Sequence, residues 1–170
     1  MGRPKLSFGM DPGINHIAIA AVDEDGHVTA GVVRNPAKSA KGWAKLYSMI
    51  KEIEKEKDLM TELQLDVAVI EGQYSAKGRG SPDHQIRNGW ISAIVWYLVG
   101  HSTKERLIAL PQVWTKGVPK EIRHEKLRPL VDPVEDWEWF GEVPPSGMMK
   151  DVWDAVGLAV WGLDQIGCKL

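Results

Sequence analysis

The chain of 170 residues has one cysteine, Cys168, close to its end. A single thiol excludes an internal disulfide framework and fits a reducing compartment. The opening "MGRPKLSFGM" holds no apolar core of a secretory signal, and no run approaches the ~20 apolar residues of a membrane span. The expected location is the cytoplasm, of a bacterium or of a virus-infected host cell, with no membrane partner. A basic excess is missing too: 21 Lys and Arg stand against 23 Asp and Glu, a net charge of −2. That absence does not exclude nucleic acid as a partner, because carboxylates that hold metal ions offset cations that hold phosphates. Internal repeats, low-complexity tracts and an interior linker are absent as well, which leaves one domain over 1–170. At 44% hydrophobic and 26% charged residues, the composition is that of a globular protein with a sizeable core.

Apolar runs at 5–10, 16–23 and 27–35, the last two separated by the turn "DEDG", predict three strands in an antiparallel meander. The second, "HIAIAAVD", is apolar on both faces and belongs in the centre of a sheet. Over 39–58 the residues Trp43, Leu46, Tyr47, Ile50 and Ile53 recur at helical spacing, with "KEIEKEKD" as a solvated tail. "LDVAVIEG" at 65–72 reads as a buried strand. It follows a helix, so a parallel crossover places it beside the first strand. Residues 83–100 predict a helix with two apolar stripes, Ile86–Trp90–Ile94–Leu98 and Ile91–Val95–Val99. Two stripes need two partners, the sheet and a second subunit. "RLIALP" at 106–111 predicts a fifth strand, 132–147 an irregular acidic loop, and Met148 to Gln165 a final helix. The expected fold is α/β: a mixed five-stranded sheet, meander plus parallel βα units, with helices on both faces.

Asp11 interrupts the hydrophobic stretch "LSFGMDPGINHIAIAAVD", where Asp-Pro-Gly also suits a turn. Glu71 is the only charge at the end of "VAVIE". Asp151 and Asp154, in "KDVWDAVGLAVW", are spaced i, i+3 and share one helical face. Singly, these are a turn residue, a strand-end charge and first-turn acids favoured by the helix dipole. If strands one and four are parallel neighbours, Asp11 and Glu71 emerge together, and the last helix can add two more acids. Four such carboxylates raise one another's pKa and are tolerable at neutral pH mainly around a divalent cation. Oxygen donors suit Mg²⁺ or Mn²⁺, and a pair of such ions is suited to phosphodiester hydrolysis.

"GMDPGINHIAIAAVD", "VAVIEGQYSAK" and "DVWDAVGLAVWGL" resemble, across nearly the whole chain, the three carboxylate motifs of RuvC-type Holliday junction resolvases of the RNase H-like superfamily. The resemblance implies an RNase H-like fold and a homodimeric endonuclease. It also implies paired nicks in four-way DNA junctions, made with two Mg²⁺ or Mn²⁺ ions per active site. On this resemblance Asp11, Glu71, Asp151 and Asp154 match the catalytic, metal-holding acids. Tyr74 matches an aromatic that stacks on a base near the junction centre, and helix 83–100 matches the dimerisation helix. "HEKLRPLV" at 124–131 resembles the segment with a functional lysine, which points to Lys126. A second family lysine, after "QV", falls on Trp114, with Lys116 two residues further on. Cations cluster at Lys77, Arg79, His84 and Arg87, and at Lys116, Lys120, Arg123, Lys126 and Arg128. Both clusters are expected to rim the acidic edge and hold phosphates. Trp137, Trp139 and Phe140 are expected to pack locally. Three alternatives remain: a RuvC-like nuclease acting on flaps, forks or replication intermediates; an actin-like or sugar-kinase ATP-binding domain, which shares the Asp-x-Gly turn; and a non-catalytic DNA-binding module. The ATP-binding class duplicates its domain, and a second glycine-rich phosphate loop is not seen here. The non-catalytic module predicts loss of an acid. Nothing in the sequence specifies a helicase partner.

Overall fold

The computed structural model describes residues 2–72, 82–100 and 103–170. Strands β1 (Leu6–Asp11), β2 (His16–Asp23) and β3 (Val28–Arg34) form the meander. Helices α1 (Gly42–Lys55) and α2 (Lys57–Glu62) lead into β4 (Val67–Glu71). After α3 (Pro82–Gly100) come β5 (Glu105–Ala109), α4 (Pro111–Thr115), α5 (Lys120–Leu127), β6 (Glu138–Trp139) and α6 (Met149–Gln165).

The sheet order is β5-β4-β1-β2-β3-β6. β1 pairs antiparallel with β2, and β2 with β3. β4 lies parallel to β1, and β5 parallel to β4. The sheet has six strands where five were expected. The sixth comes from the stretch read as an irregular loop, where Thr29 aligns with Glu138 and Ala30 with Trp139. Trp137 explains it: the indole is buried and meets Trp153 of α6 edge-on at 4.8 Å. That anchor holds the segment against the otherwise open edge of β3, whose backbone groups pair with it. The helix expected over 39–58 is interrupted at Glu56, and Pro111 closes β5 early because it opens α4.

Strand alternation decides which residues meet which helices. Phe8, Met10, Ile17, Ile19, Ala68 and Ile70 point to one face, where Met49 and Ile53 of α1 and Ile91 and Val95 of α3 cover them. On the other face Ala18, Ala20 and Val22 meet Val152, Ala155, Val156 and Ala159 of α6. Small residues let α6 come close. A Cβ on Gly9 would lie 2.0 Å from the Ala155 carbonyl oxygen, and one on Gly162 would lie 2.5 Å from Ser7 Oγ. This seating brings the first turns of α6 to the C-terminal end of β1. On α3 the stripe Ile91–Val95–Val99 is buried, and the second stripe is exposed only at Ile86 and Trp90: Leu98 is buried, Ile94 packs against the core, and Tyr97 is the exposed residue further along. No helix among the described residues is long and apolar enough to cross a membrane.

Candidate active site

Asp11 follows Ser7 and Gly9 in strand parity, and Glu71 follows Val67 and Val69, so both side chains belong to the face that α6 covers. Met10 aligns with Ile70, and the acids one step later leave neighbouring parallel strands side by side. α6 supplies the rest from its first turns. One carboxylate oxygen each from Asp11, Asp151 and Asp154 lie within 4.8 Å of one another. Glu71 stands beside Asp11, whose pKa its charge raises, and accepts a bond of 3.1 Å from Trp114 Nε1.

The four acids divide into two electrostatic pairs. Burial, then the charges of Glu71, Asp154 and Asp151, push Asp11 well above the usual carboxylate pKa, with Lys120 a lesser opposing influence. Burial also raises Glu71, helped by Asp154 and opposed by the Trp114 hydrogen bond. Asp151 and Asp154 are instead matched by bases. Lys120 Nζ donates to Asp151 Oδ1 at 3.1 Å and is paired with Asp154. Arg123 Nη2 lies 3.1 Å and His124 Nε2 2.9 Å from Asp154 Oδ1, and His16 Nε2 lies 2.9 Å from Asp151 Oδ2. Burial opposes the charge on Asp151, but His16 and Lys120 outweigh it and hold this acid below its ordinary pKa. Burial likewise opposes the charge on Lys120, and the bonds and charges of Asp154 and Asp151 outweigh it, so the ammonium persists beyond its ordinary range.

A cavity of about 350 Å³ opens over Asp11, Glu71 and Asp151, with His16, Asn15 and Asn88 also in its walls. The donor set fits a hard divalent cation: three carboxylates each bring an oxygen within 4.8 Å of the others, and among the described residues Asp11 has no hydrogen-bonded base while Asp151 and Asp154 do. Within reach of one phosphate the site thus combines oxygen donors with the cations of α5.

Of the residues expected from sequence, the four acids, Lys120 and Arg123 come together. Lys126 is exposed on α5 and lines a different cavity, so among the described residues the lysine that reaches the acids is Lys120. Lys116 is exposed, Arg87 is half-buried on α3, and Arg128 is exposed with its guanidinium 5.7 Å from the Trp153 ring centre. Tyr74, Lys77 and Arg79 lie outside the described residues, as does the side chain of His84. Trp137, Trp139 and Phe140 pack within the protein, but not locally as expected: Trp137 meets Trp139 and also Trp153 of α6, and Phe140 lies against Gly31 of β3. Sequence reasoning missed His16, His124 and Trp114. Two signals were available. His16 shares its parity with Ala18 and Ala20, and Lys120, Arg123 and His124 are spaced i, i+3, i+4 on one face of a short helix. Trp114 is marked in the sequence only as the position of a missing family lysine, and its bond to Glu71, 43 residues away, has no signal in local spacing.

No protein-family model and no curated protein matches the sequence. Solved structures do match the fold. RuvC of Thermus thermophilus in complex with a Holliday junction substrate superposes with a TM-score of 0.66 at 14% identity, over 96% of this chain and 97% of that one. A further Thermus thermophilus RuvC structure gives 0.62 at 16% identity, with coverage of 96% and 97%. The yeast mitochondrial Holliday junction resolvase gives 0.53 at 14% identity, covering 94% of this chain and 78% of that one. These likenesses establish the fold as the RNase H-like fold in the form found in RuvC-type resolvases.

Proposed function

We propose that this chain is a single-domain, metal-dependent endonuclease that resolves four-way DNA junctions by paired phosphodiester nicks. The observation that carries this reading is the meeting of Asp11, Glu71, Asp151 and Asp154 at one sheet edge, on a fold shared with a resolvase bound to junction DNA. Mg²⁺ or Mn²⁺ held by these acids would supply Lewis acidity toward a phosphoryl oxygen and a more acidic water. In hydrolysis the water oxygen forms a new bond to phosphorus, one P–O bond to sugar breaks, and the departing oxygen takes up a proton. The chain's own contribution is charge and position. Asp11 and Glu71 attract and orient the incoming water's protons, Trp114 fixes the Glu71 carboxylate, and His16 fixes Asp151. Lys120, a cation at neutral pH, stabilises the extra negative charge of the pentacoordinate phosphorus, and Lys120 rather than Lys126 fills this role.

Coordinated double nicking needs two sites. Three large apolar side chains left uncovered on α3, Ile86 50%, Trp90 53% and Tyr97 69% exposed, support homodimerisation through that helix. Lys116, Arg87 and Arg128, with Lys77 and Arg79, are proposed as phosphate contacts, and Tyr74 as a base-stacking contact. The deciding experiment is a nicking gel on a mobile four-way junction with Mg²⁺ or Mn²⁺, beside flap, fork and duplex substrates. Paired nicks in the junction are expected from wild type. Asp11→Asn and Asp154→Asn should bind the junction and leave it whole. Cutting by those variants at the wild-type rate refutes the assignment, and equal cutting of flaps and forks redirects it to a broader branched-DNA nuclease.

A further inference from the structure

A second cavity, of about 480 Å³, lies on the far side of α6 from the sheet, between α6, the α4–α5 segment and the chain's last residues. Lys116, Arg123 and Trp114 of the nuclease reading stand at its wall, but the space between them and α6 has no part in that reading. Its size is within the range of small-ligand sites. The wall from α6 consists of Gly157, Val160, Trp161 and Asp164, spaced i, i+3, i+4, i+7, one continuous helical face. Trp114 and Leu127 form the opposite, apolar wall. The rim is cationic: Lys116, Lys126 and Lys169 are all exposed there, against Asp164 as the sole acid among the lining residues.

Two residues join this groove to the acidic site. Trp114 lines the groove and bonds Glu71, and Arg123 lines it and bonds Asp154 while lying 4.6 Å over the Trp114 ring. Gly157 is one helical turn beyond Asp154, and the groove extends from there to Asp164, about 10 Å along the axis. A polymer lying across the carboxylates therefore meets the groove within a residue's length.

We propose that this groove binds one unpaired nucleotide of the DNA strand next to the scissile phosphate, its base against Trp161 and its phosphates on Lys116, Lys126 and Lys169. The inference rests on the nuclease reading and adds a subsite to it. The chemistry is specific to a nucleotide in three respects. An indole and aliphatic walls suit an unstacked base, the cations suit its phosphates, and the Trp114–Arg123 partition puts that phosphate chain on course for Asp154. Branched DNA is where such unpaired nucleotides arise.

The test measures binding of the full-length protein, in EDTA, to a four-way junction with one unpaired thymidine at the crossover and to the fully paired junction. Wild type should prefer the first, and Trp161→Ala should lose about 5- to 150-fold of affinity for it, the range one base–aromatic stack gives. Trp161→Phe should restore most of the preference, which a merely unfolded variant would not. Lys169→Glu, at an exposed position, should weaken both complexes and flatten their salt dependence. Equal affinity of wild type for the two junctions, or an unchanged preference in Trp161→Ala, overturns the subsite. If wild type then still nicks junctions in an Asp11-dependent way, only the subsite falls; if it binds no DNA, both readings fall. Trp161-dependent binding of a repeating Asp-Phe peptide, with no effect on the junction complexes, overturns it in favour of an acidic protein partner.

Discussion

Replacing Asp11 by Asn should make the metal-free protein more stable while removing its activity. Asp11 sits with Asp151 and Asp154 oxygens inside 4.8 Å, and at that separation each like-charge pair costs about 3 kcal/mol at an effective dielectric constant of ~20. Lys120 offsets part of this, and proton uptake by Asp11 relieves more, so the net gain from Asn should be about 1–3 kcal/mol. For a chain of this length the melting temperature should rise by about 3–10 °C. The sign with pH is equally defined. Asp11 has a folded pKa well above its ordinary 3.8, so its ionisation penalises the fold. The penalty is absent below 3.8 and grows as pH rises through the folded value. The gap between Asp11→Asn and wild type should therefore close on acidification. Adding Mg²⁺ should close it from the other side, since a cation at 100 times its Kd stabilises the wild-type fold by about 2.7 kcal/mol and the variant by less. Calorimetric melts in EDTA and in Mg²⁺, from acid to neutral pH, read all of this. A variant that melts at or below wild type in EDTA at neutral pH would refute the reasoning that the acids form a charge trap.

Three further outcomes follow from named contacts. Lys120→Ala should slow single-turnover junction nicking by about 100-fold or more, whereas Lys126→Ala should have a far smaller effect; the reverse order moves the catalytic lysine. Asp66, 4% exposed, accepts Leu6 N–H at 3.1 Å and pairs with Lys104 at 2.6 Å and Arg3 at 3.0 Å. Burial opposes its charge, but these partners hold its pKa below 3.8. Asp66→Asn should cost about 1–3 kcal/mol at neutral pH, a difference that shrinks as pH falls below 3.8 and through the folded value; urea titrations across pH check it. Trp90→Glu with Tyr97→Glu should convert a particle of twice 18.9 kDa into one of 18.9 kDa in light scattering, and an unchanged mass removes α3 from the interface.

The element order and the four acids were legible in the sequence because each depends on local periodicity. The apolar run of "HIAIAAVD" marks a central strand, the helical crossover before "VAVIE" makes β1 and β4 parallel neighbours, and the i, i+3 spacing of Asp151 and Asp154 gives them a shared face. From these alone the carboxylates converge. Long-range complementarity was not encoded that way. The pairing of β6 to β3 depends on Trp137 finding Trp153, and the close seating of α6 depends on Gly9 and Gly162, two residues whose missing side chains have meaning only where another element presses against them. The identity of the lysine at the acids was decided by which face of α5 lies against α6. That face presents Lys120, Arg123 and His124 to Asp151 and Asp154, and leaves Lys126 facing the outer groove. Periodicity states which side chains share a face, and packing between faces is a property of the folded whole, so the sequence determined the acids and the tertiary structure chose their bases.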